Sequence, residues 1–175
     1  AALAGTETSL ACLRRDGTIL VTEPDLGGNS TIDEILSMTD AVQAVWKGES
    51  LAVLCEDGTV KNAGYVEYWR EDTEEVNNWQ NVTMLASNNS ELAGLLKDGS
   101  VVRTEFEGVS VSRSMMEEMG AEEARKAAEK QKEMTPDLIS EWKGITEISL
   151  GDSHAVGLLE DGSAVAAGFP GKTGE

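Results

Sequence analysis

Three places in this sequence hold residue types that could do chemistry. The only histidine, His154, follows Asp152 and Ser153, so an acid, a nucleophile and a base stand in one run. A working triad needs the base to reach the nucleophile while the acid orients it from behind. Adjacent residues on a strand or tight turn point apart, so contiguity argues against that assembly. Near the C-terminus, Gly171-Lys172-Thr173 matches the tail of a phosphate loop. The full pattern needs an earlier glycine where Ala166 stands, and a helix after the threonine where only Gly174 and Glu175 remain. Acidic clusters at Glu71-Asp72-Thr73-Glu74-Glu75 and at Glu117, Glu118, Glu122 and Glu123 offer oxygen ligands. Neither has the alternating aspartates, glycine and distal glutamate of a dedicated calcium loop, and both fit solvated surface. Cys12 and Cys55 lie in apolar strand patterns far apart and make neither a disulfide framework nor a metal motif; buried free thiols are expected. No catalytic, cofactor-binding or metal-ligating residue is therefore expected, and no cofactor.

Charge narrows the partners. The 175 residues carry 32 Asp and Glu against 14 Lys and Arg, a formal net charge of -18. Nucleic-acid affinity rests on cations displacing counterions from phosphates, so this chain would repel a polyanion, and an anionic membrane surface for the same reason. No apolar run reaches the roughly 18 residues of a membrane helix, so no membrane insertion is expected. A protein partner or self-association remains.

What positions the residues is a repeat. Asp-Gly followed by Thr or Ser occurs at Asp16-Gly17, Asp57-Gly58, Asp98-Gly99 and Asp161-Gly162, with spacings of 41, 41 and 63 residues. Asp-Gly marks a hairpin turn, because glycine adopts positive φ without penalty. Three residues before each Asp stands leucine (Leu13, Leu54, Leu95, Leu158), and three after stands Ile19, Val60, Val101 or Ala164. Two residues ahead of those leucines stand Ala11, Ala52, Ala93 and Val156. Period-2 spacing across a turn predicts two antiparallel strands with a buried face. Upstream, apolar residues recur by threes: Ile35, Met38, Ala41, Ala44, then Val76, Trp79, Val82, Leu85, then Ile139, Trp142, Ile145, Ile148. Too short for a sustained helix, these stretches read as a connecting segment with a Met or Trp anchor leading into an inner strand. The first copy has no such lead-in, since Ala1 to Leu3 already read as strand.

The longer third spacing places 22 extra residues between the third and fourth copies. Ser114-Met115-Met116-Glu117 matches a capping box and Glu118 to Lys132 is rich in helix formers, so a helix is expected within about 114–136, stopped by Pro136.

The fourth copy, with Gly151, His154, Gly157, Leu158, Asp161, Gly162 and Gly168 in place, resembles the regulator-of-chromosome-condensation repeat, in the short form common in bacterial proteins. The second copy keeps Leu54, Asp57, Gly58 and Gly64, with Lys47 and Ser50 at the Gly and His positions; the first and third have Glu23 and Glu105 at the closing glycine. The resemblance implies an all-β fold of four-stranded propeller blades, usually about seven to a ring. Four repeats then imply a fragment, a ring completed by another chain, or an open or smaller propeller. It also implies that His154 is a structural turn residue, and a bacterial setting in which a cell-surface or extracellular place is favoured over the cytoplasm. The eukaryotic founding member acts as an exchange factor on a small GTPase and docks on chromatin; its exchange residues have no counterpart placed here.

A single propeller-type domain is expected over 1–175, with repeats at about 1–34, 35–75, 76–138 and 139–175. The expected function is a non-catalytic scaffold for protein–protein interaction, with Met115, Met116 and Met119 on the inserted helix as an adaptable apolar contact, or as the face that packs it on its own propeller. The alternatives are a purely structural part of a larger or oligomeric propeller and, with far less in the sequence to carry it, a propeller-based lyase or hydrolase.

Overall fold

The computed structural model of the chain describes residues 1–6, 9–22, 30–64, 75–89, 91–104, 120, 138–151 and 154–168. They form four three-stranded antiparallel meanders, one per repeat. The first sheet holds Ala2–Gly5 (β1), Leu10–Leu13 (β2) and Ile19–Val21 (β3), and the second Ala41–Lys47 (β4), Ser50–Cys55 (β5) and Val60–Ala63 (β6). The third holds Val82–Ser87 (β7), Leu92–Leu96 (β8) and Val101–Arg103 (β9), and the fourth Ile145–Leu150 (β10), His154–Leu159 (β11) and Ala164–Gly168 (β12). The fourth strand that the resemblance implies for each blade would fall after β3, β6, β9 and β12, outside the described residues.

The Asp-Gly turns differ in detail from the simplest two-residue hairpin. The glycine N–H donates to the carbonyl three residues back, as from Gly58 to Cys55 at 3.0 Å, and only the glycine takes positive φ, at 77, 85, 79 and 82° in the four copies. The aspartate instead works through its side chain. Its Oδ1 accepts both the backbone N–H and the hydroxyl of the residue two positions on, at 2.9 and 2.7 Å for Thr59 on Asp57. The same pair of bonds recurs on Asp16, Asp98 and Asp161. That is why Thr or Ser follows every Asp-Gly.

The lead-ins spaced by threes are turns. The N–H of Met38, Trp79 and Trp142 donates to the carbonyl of Ile35, Val76 and Ile139 respectively, the same i to i+3 bond in all three. The first of these turns closes an eight-residue helix, Ser30–Ser37 (α1), with Ile32 and Ile35 buried. A purely connecting reading of that stretch missed this helix. One amphipathic turn was visible there, but α1 is held by packing on β3 and β6 rather than by its length. The helix expected within 114–136 lies outside the described residues apart from Gly120.

Each inner strand from the second repeat on carries the same register shift after its first residue, at Ala41/Gln43, Val82/Met84 and Ile145/Glu147. Such a bulge sets two residues against one and sharpens the twist. The third and fourth copies answer it with Thr83 and Thr146, whose hydroxyls donate to the carbonyls of Leu95 and Leu158.

The core lies between sheets and is built three times from the same register positions. Between the first and second sheets, Leu13 and Ile19 meet Ile35, Ala41 and Leu51. Between the second and third, Leu54 and Val60 meet Val76, Val82, Leu85 and Leu92. Between the third and fourth, Leu95 and Val101 meet Ile139, Ile145 and Ile148. Inner strands of successive sheets pack side by side, β1 on β4, β4 on β7 and β7 on β10. Side chains bridge them. Gln43 clamps the Leu85 backbone from both ends of its amide, at 2.8 Å each, Trp46 Nε1 donates to the Ala4 carbonyl, and Asn88 Nδ2 to that of Gly151.

Candidate interaction surface

The structural turns do more than close hairpins. The carbonyl oxygen of Gly17 accepts the N–H of Ala41, that of Gly58 accepts Val82, and that of Gly99 accepts Ile145, at 2.9–3.1 Å. Each turn is thus bonded to the first residue of the next inner strand. The link is 24 residues long in the first two cases and 46 in the third, yet the bond is the same. The bond between the turn and the next inner strand is therefore kept across the 22 extra residues.

Glycine serves these junctions by letting backbone approach backbone. A Cβ on Gly17 would stand 2.2 Å from the Thr39 carbonyl oxygen, and one on Gly99 3.0 Å from the Gly144 backbone. Around Gly162 there is nothing within 4 Å.

A second pairing escaped the sequence reading. The ring of Trp79 lies over Gly94 and that of Trp142 over Gly157, so that a Cβ would meet ring carbons at 3.2 and 3.0 Å. Where the anchor is the slimmer Met38, the corresponding strand residue is Val53, in the same core. The signal was present as a covariation inside one chain: tryptophan with glycine twice, methionine with valine once, at one fixed separation.

His154 opens β11, and its ring lies over Gly151, where a Cβ would come within 2.6 Å of Cε1. In the second repeat Ser50, at the histidine position, lies closer still to the closing glycine Gly64, where a Cβ would stand 1.9 Å from its Oγ. The first and third repeats lack the closing glycine and use a hydroxyl instead: Thr22 and Thr104 Oγ1 accept the N–H of Leu10 and Leu92. Asp152 and Ser153 are outside the described residues, so nothing further bears on a triad there.

Cys12 and Cys55 are free. Cys55 is buried as expected, and burial pushes its thiol up, keeping it protonated. Cys12 is only half-buried, contrary to expectation, because among the described residues no sheet covers its side of the first blade. Met115, Met116, Met119, the acidic clusters but for Glu75, and the Gly171-Lys172-Thr173 triplet are outside the described residues, among which no group of three potential metal ligands gathers. Among those residues no helix is long and apolar enough to cross a membrane.

The four turn carboxylates are held below their ordinary value of 3.8, first by the hydroxyl of the following Thr or Ser and then by its backbone N–H. With the folded value below the unfolded one, their contribution to stability is present above about pH 4 and is lost as pH falls through the folded value. Thr59→Val is expected to raise the Asp57 value toward 3.8 and to move the acid unfolding limb to higher pH, read by carboxyl NMR titration and by circular dichroism. An unmoved Asp57 titration would refute the hydroxyl's role.

No family model matches the chain, and no curated protein does. Solved structures match it. Prp20p from Saccharomyces cerevisiae, in a structure concerned with its binding to Gsp1p and histones, superposes with a TM-score of 0.58 at 15% identity, over 96% of this chain and 44% of that one. The fold is RCC1-like. A structure of Kap60 bound to yeast RCC1 (Prp20) matches as well, with a TM-score of 0.57 at 14% identity, over 96% of this chain and 43% of that one. The RCC1-like repeat anticipated from Gly151, His154, Asp161 and Gly168 is thus the observed one, as four partial propeller blades. The chain spans less than half the length of the RCC1 chains it matches.

Proposed function

We propose that this chain is a non-catalytic scaffold whose RCC1-like blades present a protein-binding segment, the insertion at about 114–136. The observation that carries this reading is the bond from Ile145 to the Gly99 carbonyl, made across the 22 extra residues as the shorter links make theirs. A segment that the junction does not need is free to serve recognition, which is where repeat scaffolds place it. Met115, Met116 and Met119 supply a polarizable apolar contact of the kind that adapts to a protein surface. The relatives in fold support the class of function: Prp20p is described with Gsp1p, histones and Kap60 as its binding partners.

Deleting 114–136 tests it. The expected result is loss of binding to the chain's protein partner with a melting temperature within a few degrees of the parent. A collapse in stability would show instead that the segment packs on its own blades. The uncovered faces of the first and fourth blades support a second reading, that these blades form part of a larger or oligomeric propeller.

A further inference from the structure

Aspartate followed by glycine is the dipeptide most open to self-modification, because glycine has no side chain to shield its nitrogen. The nitrogen forms a bond to the aspartate Cγ, and the hydroxyl of the protonated carboxyl leaves with the amide proton as water. Water then opens the succinimide ring so formed. Attack at the backbone carbonyl breaks its bond to nitrogen and routes the main chain through Cβ and Cγ, giving isoaspartate of unchanged composition. The reaction needs no partner, only a protonated carboxyl and a glycine nitrogen free to turn toward it. Such a pair stands in every repeat of this chain.

At a junction between blades the damage would be large. One extra backbone carbon at Asp57 would displace the Gly58 N–H from the Cys55 carbonyl and the Gly58 carbonyl from the Val82 N–H. Burial gives no protection, since Asp16, Asp57 and Asp98 are all exposed.

Both reactants are held instead. The N–H of Gly17, Gly58 and Gly99 donates to the carbonyl of Arg14, Cys55 and Leu96 at 3.2, 3.0 and 2.9 Å. The carbonyl of each of these glycines is bonded in turn to the next inner strand, so the residue is fixed at both ends. On the other side, Oδ1 of Asp16, Asp57 and Asp98 accepts the hydroxyl of Thr18, Thr59 and Ser100 at 2.7, 2.7 and 2.5 Å. The same oxygen accepts the backbone N–H of that residue at 3.1, 2.9 and 3.0 Å. Two donors on one oxygen favour the ionised carboxylate, which is a poor electrophile and has no hydroxyl to lose.

We propose that the Thr or Ser after each Asp-Gly is a chemical guard, whose hydroxyl keeps the aspartate from cyclising onto the glycine nitrogen and so preserves the turns that join the blades. A hydroxyl that served the turn's shape alone would leave the rate of this reaction untouched.

The test is isoaspartate formation at each site during prolonged incubation of the folded chain at physiological pH and temperature. Peptide mapping reads it, because the isomer has the same mass and elutes apart. Thr59→Val keeps the backbone N–H and removes the hydroxyl. It is expected to speed isomerisation at Asp57 about fivefold, the effect of losing one hydrogen bond to a charged group. Asp16 and Asp98 in the same molecules keep the parental rate, and Thr59→Ser keeps it at Asp57. In concentrated urea, where no turn is formed, parent and Thr59→Val isomerise alike at Asp57. An Asp57 rate in folded Thr59→Val equal to the parent's overturns the proposal. So does a rise at all three aspartates together, which would assign the effect to general unfolding. Thr59→Ser reacting as fast as Thr59→Val overturns it as well.

Discussion

Gly94→Val is expected to destabilise the protein by about 1–3 kcal/mol, and Trp79→Met in the same chain to recover most of that loss. A Cβ on Gly94 would stand 3.2 Å from the Trp79 ring, tighter than ordinary contact, with Val102 equally close on the other flank. Valine there must push the ring off its packing or bend the strand. Methionine alone at position 79 removes the ring and leaves its site part-empty, which costs about the same order. Together the two changes rebuild the Met38 and Val53 arrangement of the preceding junction. A double-mutant cycle by urea unfolding should give a favourable coupling of about 0.5–3 kcal/mol. Strictly additive losses would mean that the two residues do not share a packing constraint. The cross-strand neighbour differs, Val102 here and Lys61 beside Val53, so recovery stops short of complete.

Alanine scanning of the four turn glycines should split them three to one. All four have φ between 77 and 85°, a backbone region where a Cβ costs about 1–2 kcal/mol. Gly162→Ala is expected to cost only that, since its surroundings are open. Gly17→Ala adds a contact of 2.2 Å with the Thr39 carbonyl oxygen, which forces the turn away from the next blade and loosens its bond to Ala41. The resulting backbone shift costs about a further 1–3 kcal/mol. Gly58→Ala and Gly99→Ala, with contacts of 3.2 and 3.0 Å, fall between. Thermal unfolding of the four variants checks the order. Equal losses would show that the turns are local features with no part in holding blades together.

Much of this was legible in the chain itself. The leucine, Asp-Gly and apolar residues at fixed offsets marked the hairpins, and the residues spaced by threes marked the segments that lead into the second, third and fourth blades. Those signals act over a dozen residues, where turn chemistry and side-chain alternation decide the outcome without help. The role of aspartate was less legible, because Asp-Gly suits several turns. Only the backbone angles show that the glycine alone takes the left-handed conformation, and only the paired bonds from Thr59 show what the Asp57 side chain does. Helix α1 was missed because its stability comes from the sheets on which it packs. The pairing of Trp79 with Gly94 needs the strand and the lead-in folded against each other before it means anything.

By itself, then, the sequence determined a β-hairpin repeated four times and its RCC1-like character. These follow from residue type and short spacing. The tertiary structure decided how the repeats join and where they stop joining. A middle strand such as Leu92–Leu96 is apolar on both faces, and alternation cannot say which face is covered. Only the neighbours decide that, burying Leu54 and Leu95 while leaving Leu158, the same leucine of the same repeat, in contact with water.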